Sequence, residues 1–481
     1  MSEPLWTVEA MAAAMGAQRQ GALPPAAVPG LSIDSRTVEA GDAFFAIQGD
    51  SRDGHAFVES ALQKGAGLAV VATGKRSTLP KDAPLLAVPD VLEGLRALAR
   101  AARARSRAKL IGVTGSVGKT GTKEALRLAL SSAGETHTSI ASYNNHWGVP
   151  LSLARCRQSA RYAVLEMGMN HAGEIAPLSR LTRPHIAIVT AVEPVHLEFF
   201  ASVEAIADAK AEIFLGLEPG GAAIINRDGP HFARLQRHAK AAGAERVVAF
   251  GEHKQADARL IKFALQPDSS TVLANILGAE ITYKLGAPGR HFVQNSLAVL
   301  AAASLAGADL ALAALALSGL APPSGRGARQ SLQLPGGSAL LIDESYNANP
   351  ASMRAALALL GLTPVGPRGR RIAVLGEMLE LGPQGNELHR ALKDPIIDNA
   401  VDLVFCAGPL FQGLWEALPS ERQGGYAVTS AALEADLLRN LRAGDAVMVK
   451  GSLGSRMRPI VKTLLRQFSS QDTREAVSAQ G

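Results

Sequence analysis

The sequence predicts a three-domain α/β protein, with a central P-loop parallel-sheet domain flanked by a small α/β N-terminal domain and a Rossmann-like C-terminal domain. Three observations carry this expectation. An apolar β-branched run (Leu110, Ile111, Val113) breaks into a glycine-bearing loop and then a helical pattern from Lys123 to Leu130. Strand-like and helical runs alternate through the rest of the chain, which implies parallel strands joined by right-handed crossovers. Pro322-Pro323-Ser324-Gly325 is the clearest linker. The expected boundaries are therefore 1–107, 108–322 and 323–481, with a polar, disordered tail from Ser469.

Composition narrows the class. A chain of 481 residues at 47% apolar content has ample material for several cores. Its two cysteines, Cys156 and Cys406, lie far apart, which argues against a disulfide framework or zinc site and suits a reducing compartment. The first residues, M-S-E-P-L-W-T-V-E, hold two acids and no apolar export core, so a cytoplasmic location is expected. Leu297 to Ala321 carries only Asp309, yet a mid-span carboxylate costs about 3 kcal/mol on insertion. Gly307-Ala308-Asp309 reads better as a helix end and a new N-cap, giving two soluble helices and no membrane insertion. The net charge of +6 raises the question of nucleic acid. The densest basic run (Arg96, Arg100, Arg103, Arg105, Arg107, Lys109) falls on one alanine-rich helix and reads as a solvated face. With 4% aromatics and no recognisable module, no nucleic-acid partner is expected.

In chain order, short β-like runs (Leu31 to Ile33, Ala43 to Ile47, Leu68 to Ala72, Leu85 to Val88) and a helix near Phe57 to Lys64 form the first unit. Its loops, with Asp34-Ser35-Arg36, Gly49 and Asp53-Gly54-His55, suit phosphate or ribose, though alone they are also ordinary turn residues. Asp90 caps a helix to about Arg107. Tyr162 to Leu165 is a strand ending at Glu166, and His185 to Thr190 another, followed by His196. Three β-like runs between Asp257 and Leu285 read as an antiparallel edge. The last third repeats strand then polar loop, at Ala339 to Ile342, Ile372 to Leu375, Val401 to Cys406 and Ala446 to Val449. It lacks G-x-G-x-x-G, so a whole dinucleotide is not expected there.

The chemistry concentrates in T-G-S-V-G-K-T. Gly115, Ser116, Val117, Gly118, Lys119, Thr120 and Gly121 are the candidate ATP-phosphate cradle: backbone N–H groups turn onto anionic oxygens, the helix start adds positive potential, Lys119 reaches the phosphates and the Thr120 hydroxyl meets Mg²⁺. Val113 occupies the position of the usual first glycine. Ligands of parallel sheets gather at carboxyl strand ends, so Glu166 and His196 fall beside this loop as a candidate metal–nucleotide site. In S-V-E-A-I-A-D-A-K-A-E-I-F, Glu204, Asp208 and Glu212 recur every four residues as a wet face, whereas Lys210 follows the apolar stripe inward. Desolvation lowers the pKa of such a lysine, leaving a neutral amine, unless its tip snorkels to water.

These stretches together resemble the Mur ligases over nearly the whole chain. The resemblance rests on D-S-R through D-G-H (Asp34 to His55), T-G-S-V-G-K-T, Y-N-N-H-W-G-V-P, E-M-G-M-N-H-A-G-E-I, H-L-E, A-K-A-E-I-F, D-E-S-Y-N-A-N-P, G-E-M-L-E-L-G and V-K-G-S. The block Asp343 to Pro350 is similar to the branch that adds D-alanyl-D-alanine to a UDP-N-acetylmuramoyl tripeptide, and D-N-P-R of the diaminopimelate-adding branch is absent. The resemblance implies an ATP- and Mg²⁺-dependent amide ligase working through an acyl phosphate, expected as a monomer. It also implies roles: Glu166, His196 and Lys210, as a carbamate, at the metals with Thr120; Asn144 and Asn145 near the reacting phosphate; Asn295, Arg326, Asp343, Tyr346 and Asn347 around the nucleotide, with Asp343 on the ribose; Asp34, Ser35, Arg36, Gly49 and Asp53 on the UDP substrate. Lys119, Lys210, His196, Glu166 and Asn145 are thus the expected catalytic set. Two positions depart from the family pattern: Ser142 and Phe292 stand where asparagines are common. Folylpolyglutamate synthase, which lacks the D-S-R to D-G-H block, and a non-ligating nucleotide-binding module are the rival readings.

Overall fold

Three large sheets, each with its own helices, follow one another along the chain, and a two-stranded antiparallel pair, Trp6–Thr7 with Ala27–Val28, stands at its start. The structure is a computed structural model that describes residues 4–49, 52–140 and 142–468; the tail from Ser469 lies outside them. The N-terminal sheet runs Gln18–Gln20, Leu85–Val88, Leu68–Ala72, Ala43–Phe45, Leu31–Ser32, parallel except for its first strand. A nine-stranded middle sheet is centred on Lys109–Thr114, with Tyr162–Glu166 on one side and Ile186–Val189 on the other, both parallel to it. Strands buried on both faces read as continuous apolar runs, and Tyr162–Glu166 is buried at every position.

The three runs pair antiparallel with one another as expected, and the edge they form joins the parallel sheet through a parallel pairing. Ala258–Leu265 pairs parallel with Arg246–Gly251, and only Ser270–Ile276 and Ala279–Leu285 fold back as hairpins. The six-stranded C-terminal sheet is parallel apart from its edge strand Ala328–Leu334. The alanine-rich stretch forms two helices, Arg290–Leu305 and Leu310–Ala316, separated by Gly307 at φ +83° and capped by Asp309, which accepts from Leu312 N–H at 2.8 Å. Among the described residues no helix is long and apolar enough to cross a membrane. Cys156 and Cys406 are free and buried.

The helix Val91–Arg105, capped by Asp90, corrects the reading of its basic face. It lies between the first two sheets, and two of its arginines, Arg103 and Arg105, serve that junction, while Arg100, Arg107 and Lys109 are exposed as expected. Arg103 is buried, donating to the Thr182 carbonyl at 2.7 Å and to Glu218 at 2.8 Å, while the Arg105 guanidinium lies 3.3 Å over the Trp6 ring and donates to the Leu5 carbonyl. Planar guanidinium groups satisfy carbonyl ends and stack on indole, which periodicity alone does not reveal. Trp6 completes the junction by donating its indole N–H to Ala154 O at 2.9 Å. One continuous apolar cluster, from Leu5 through Leu98 to Leu165, therefore joins the N-terminal and middle sheets.

Glu212 is a second correction. Its carboxylate accepts from the N–H groups of Gly173, Ile175 and Ala176 at 2.6, 3.1 and 2.9 Å. It holds the positive end of the helix Ile175–Thr182 and so fixes the loop after Glu166, where the sequence had suggested a solvated face.

Candidate active site

The loop after Lys109–Thr114 turns straight into the helix Lys119–Ser131, which starts four residues earlier than its periodicity indicates. Two glycines are obligatory here. Gly115 (φ +151°) could carry a Cβ only 1.9 Å from Thr190 Oγ1, and Gly118 (φ +86°) only 2.5 Å from the Asn295 amide nitrogen. Thr190 holds the loop from below, donating to Val117 O at 2.6 Å. Asn295, on the helix Arg290–Leu305, thereby sits against the loop.

Around the loop opens a cleft of about 470 Å³ between the middle and C-terminal sheets, lined by Lys119, Glu166, His196, Asn144 and Asn295 from one side and by Arg326, Tyr346 and Asn347 from the other. Lys119 Nζ donates to Gly115 O at 2.7 Å; burial lowers its pKa, and Arg326 works in the same direction against the opposing pull of Glu166. Glu166 is 1% exposed and both its oxygens are engaged, one by Thr120 Oγ1 at 2.9 Å and the other by Asn144 Nδ2 at 2.8 Å. Lys210 lies behind this group, 2% exposed and without a hydrogen-bond partner among the described residues. Burial, with Lys119 adding to it, takes its pKa well below the ordinary lysine value, which favours the amine over the ammonium. His196 adopts φ +55° and its Nδ1 lies 2.5 Å from Glu380 Oε2. Burial lowers its pKa, Glu380 opposes, and the charge of Lys119 works in the same direction as burial.

Other expected residues stand elsewhere or act differently. Asn145 is exposed and its amide oxygen caps the helix Gly148–Ala154, accepting from Trp147 and Gly148 N–H at 3.2 and 2.9 Å, so Asn144 is the member of the pair in the cleft. Asp343 is buried and does not line the cleft. Its oxygens accept from Gly325 N–H at 3.0 Å, and from Ser345 N–H and Oγ at 3.1 and 2.6 Å, tying the linker to the strand Gly337–Glu344. Arg326 stacks on Tyr346 at 4.2 Å and reaches Ser142 Oγ at 3.4 Å. Asp34, Ser35, Arg36, Gly49 and Asp53 are not cleft residues. Asp34 pairs with Arg36 at 2.7 Å, Gly49 packs against Trp147, and Asp53 bonds His55 and Lys75 at 2.6 and 3.0 Å.

Two further residues of the site, Lys450 and Glu380, had not been expected from the sequence. Lys450, in V-K-G-S, is buried and donates to Asn347 O at 2.9 Å and Glu344 at 3.2 Å. Glu380, in G-E-M-L-E-L-G, meets His196 from the C-terminal side. The signal for Lys450 was its place at a carboxyl strand end; Glu380 had no local signal.

Three family models match in chain order. "Mur ligase family, catalytic domain" covers residues 27–104, "Mur ligase middle domain" 113–303 and "Mur ligase, glutamate ligase domain" 332–453. A UDP-N-acetylmuramoyl-tripeptide–D-alanyl-D-alanine ligase of Rickettsia prowazekii is 32% identical over 90% of this chain and 94% of its own. The chain belongs to the Mur ligase family. The corresponding ligase of Bacillus subtilis is 33% identical over 91% of this Mur ligase and 93% of its own length. Among solved structures, MurF from Acinetobacter baumannii superposes with a TM-score of 0.82 at 29% identity, covering 97% of this chain and 99% of that one. MurF from Thermotoga maritima in complex with ADP gives 0.73 at 26% identity, covering 94% and 98%. The three-domain α/β architecture expected from the sequence is that of these Mur ligases.

Proposed function

We propose that this Mur ligase joins D-alanyl-D-alanine to UDP-N-acetylmuramoyl tripeptide at the expense of ATP, giving the pentapeptide precursor of peptidoglycan, ADP and phosphate. Whole-length similarity to ligases of that name supports the reaction. The observation that carries the chemistry is the convergence of Lys119, Glu166 and His196 on one cleft, with the buried Lys210 amine behind them.

In this reading the terminal carboxylate of the tripeptide attacks the γ-phosphorus of ATP, and the bond to the β–γ bridging oxygen breaks to release ADP. The dipeptide amine then attacks the acyl phosphate carbonyl, loses a proton and expels phosphate. The loop N–H groups and Lys119 neutralise charge on the transferring group and hold it in line. Asn144 steadies Glu166, and Asn295, Arg326, Tyr346 and Asn347 surround the nucleotide.

The protein donors suit Mg²⁺. Among the described residues no three His, Cys, Asp or Glu side chains cluster as a metal cage. Mg²⁺ is ordinarily held by substrate phosphates, waters and one or two hard protein oxygens, and the contacting pair Thr120 Oγ1 and Glu166 Oε2 supplies such oxygens. When bound, Mg²⁺ neutralises phosphate charge; Thr120, Glu166 and His196 would hold it, together with a carbamate on Lys210. The unpaired Lys210 amine can attack CO₂ and lose a proton to give that carbamate, turning a buried amine into an anion.

Domains 1–107 and 108–322 then serve the UDP substrate and ATP, and 323–481 the dipeptide and part of the nucleotide, in a cytoplasmic enzyme. The last domain closes about Pro322 to Gly325 and excludes water from the acyl phosphate. The test is ADP release from ATP, Mg²⁺ and UDP-N-acetylmuramoyl tripeptide, with and without D-alanyl-D-alanine. Release that requires the dipeptide supports ligation, and slow release indifferent to it sinks the proposal. Scattering profiles that do not change when an ATP analogue and the UDP substrate are added would count against closure.

A further inference from the structure

His196 and Glu380 belong to different lobes yet meet at 2.5 Å, Nδ1 to Oε2. Both residues adopt left-handed backbone, φ +55° and +63°, which side chains other than glycine rarely do without a reason in the surroundings. The surroundings supply one. Glu380 stands between Met378 and Leu381, both buried in the C-terminal core. The Met378 N–H is held by His389 Nε2 at 3.0 Å and the Leu379 N–H by Ser452 Oγ at 3.0 Å. The loop is thus clamped to its own lobe on either side of one outward carboxylate. A second contact repeats the crossing, since Glu198 N–H donates to Glu380 O at 3.3 Å.

An imidazole that donates from one nitrogen to a carboxylate presents the lone pair of the other in a fixed direction. His196 lines the cleft, and its Nδ1 is the nitrogen engaged by Glu380. We propose that Glu380 is a positioning residue for the ligase reaction: it accepts the Nδ1 proton of His196 across the gap between lobes and sets the ring with Nε2 free for the reacting centre. Because the carboxylate arrives on the C-terminal lobe, the imidazole is set only when that lobe is docked. Phosphoryl transfer is thereby tied to closure through one hydrogen bond.

This inference rests on the ligase reading above; absence of wild-type ligation would strike that reading, whereas the tautomer of His196 tests this one without turnover. Glu380→Ala is expected to lower kcat by about 10- to 100-fold, the range for removing a carboxylate that orients a functional histidine, while KM for ATP and the UDP substrate stays within about twofold. Glu380→Gln keeps an oxygen that can accept the same proton and should recover most of the lost turnover. A readout independent of turnover is the tautomer of His196, followed by ¹⁵N shifts in histidine-labelled protein and assigned with a His196→Ala sample. Wild type and Glu380→Gln should carry the proton on Nδ1, and Glu380→Ala should lose that preference. Unchanged kcat in Glu380→Ala, equal damage in both variants, or a wild-type ring protonated on Nε2 alone would each overturn the proposal.

Discussion

Thr120 Oγ1 donates to Glu166 Oε2 at 2.9 Å, binding the first turn of the phosphate-loop helix to the end of the neighbouring parallel strand. The second Glu166 oxygen is held by Asn144. A buried carboxylate with a donor on each oxygen is rigid, and it stands beside the loop as a fixed negative point that a cation shared with the phosphates can meet. Glu166→Gln keeps one acceptor oxygen and turns the other into a donor. Turnover is expected to drop by roughly 10²-fold or more, the scale for losing a group that stabilises transition-state charge. ATP affinity, measured by calorimetry without the UDP substrate, should change far less, because the loop N–H groups and Lys119 remain.

Lys210 makes a sharper case. A buried lysine without a partner is unfavourable as an ammonium, so the fold selects the amine, which is the form that reacts with CO₂. Lys210→Ala should remove nearly all ligase activity without loss of the folded state, since the change deletes an unpaired polar group. Short carboxylic acids added to that variant should restore part of the turnover by occupying the vacated space as an anion. Undiminished activity of Lys210→Ala would exclude a role for the carbamate.

The sequence was most informative where chemistry is local. The phosphate loop, the Asp90 and Asp309 caps and the inward direction of Lys210 follow from residue type and spacing within a single element. It was least informative where a side chain serves a distant element. Arg103 and Glu212 read as surface charge because the helix pattern records apolar periodicity and is silent about carbonyls and amides brought from elsewhere. Asn144 and Asn145 are adjacent and chemically identical, and only the helix start at Gly148 decides which of them caps and which faces the cleft. The contact of His196 with Glu380 spans 184 positions, beyond any local signal.

Asp343 yields a prediction that separates two roles. Its oxygens accept three hydrogen bonds within the linker and the loop that follows, so it acts on the joint between lobes. Asp343→Asn would aim an amide N–H at one of these buried donors, at a cost of about 1–3 kcal/mol. The expected result is a lower melting temperature and reduced turnover, with ATP and 2′-deoxy-ATP affected by the same factor. A variant that loses activity toward ATP only down to the level of wild type with 2′-deoxy-ATP would instead put Asp343 on the ribose.

Asp53 predicts a pH dependence of stability in the N-terminal lobe. Its carboxylate caps the short helical turn Gly54–Phe57 through His55 N–H at 3.0 Å. It also takes the His55 ring proton at 2.6 Å, because His55 Nε2 is occupied as the acceptor of Ala72 N–H at 2.9 Å. Burial opposes its ionisation, but the His55 bonds and Lys75 outweigh it and bring the pKa from 3.8 to about 2. The folded value lies below the unfolded one, so the contribution is complete above pH 3.8 and is lost as pH falls toward 2. Allowing for partial exposure, it amounts to roughly 1–2 kcal/mol. Unfolding free energies of wild type and Asp53→Asn from urea titrations should therefore differ by that amount near pH 6 and converge as pH falls from about 4 to about 2. A gap that stays constant across this range would mean that the cap, and not the charge, accounts for the stabilisation.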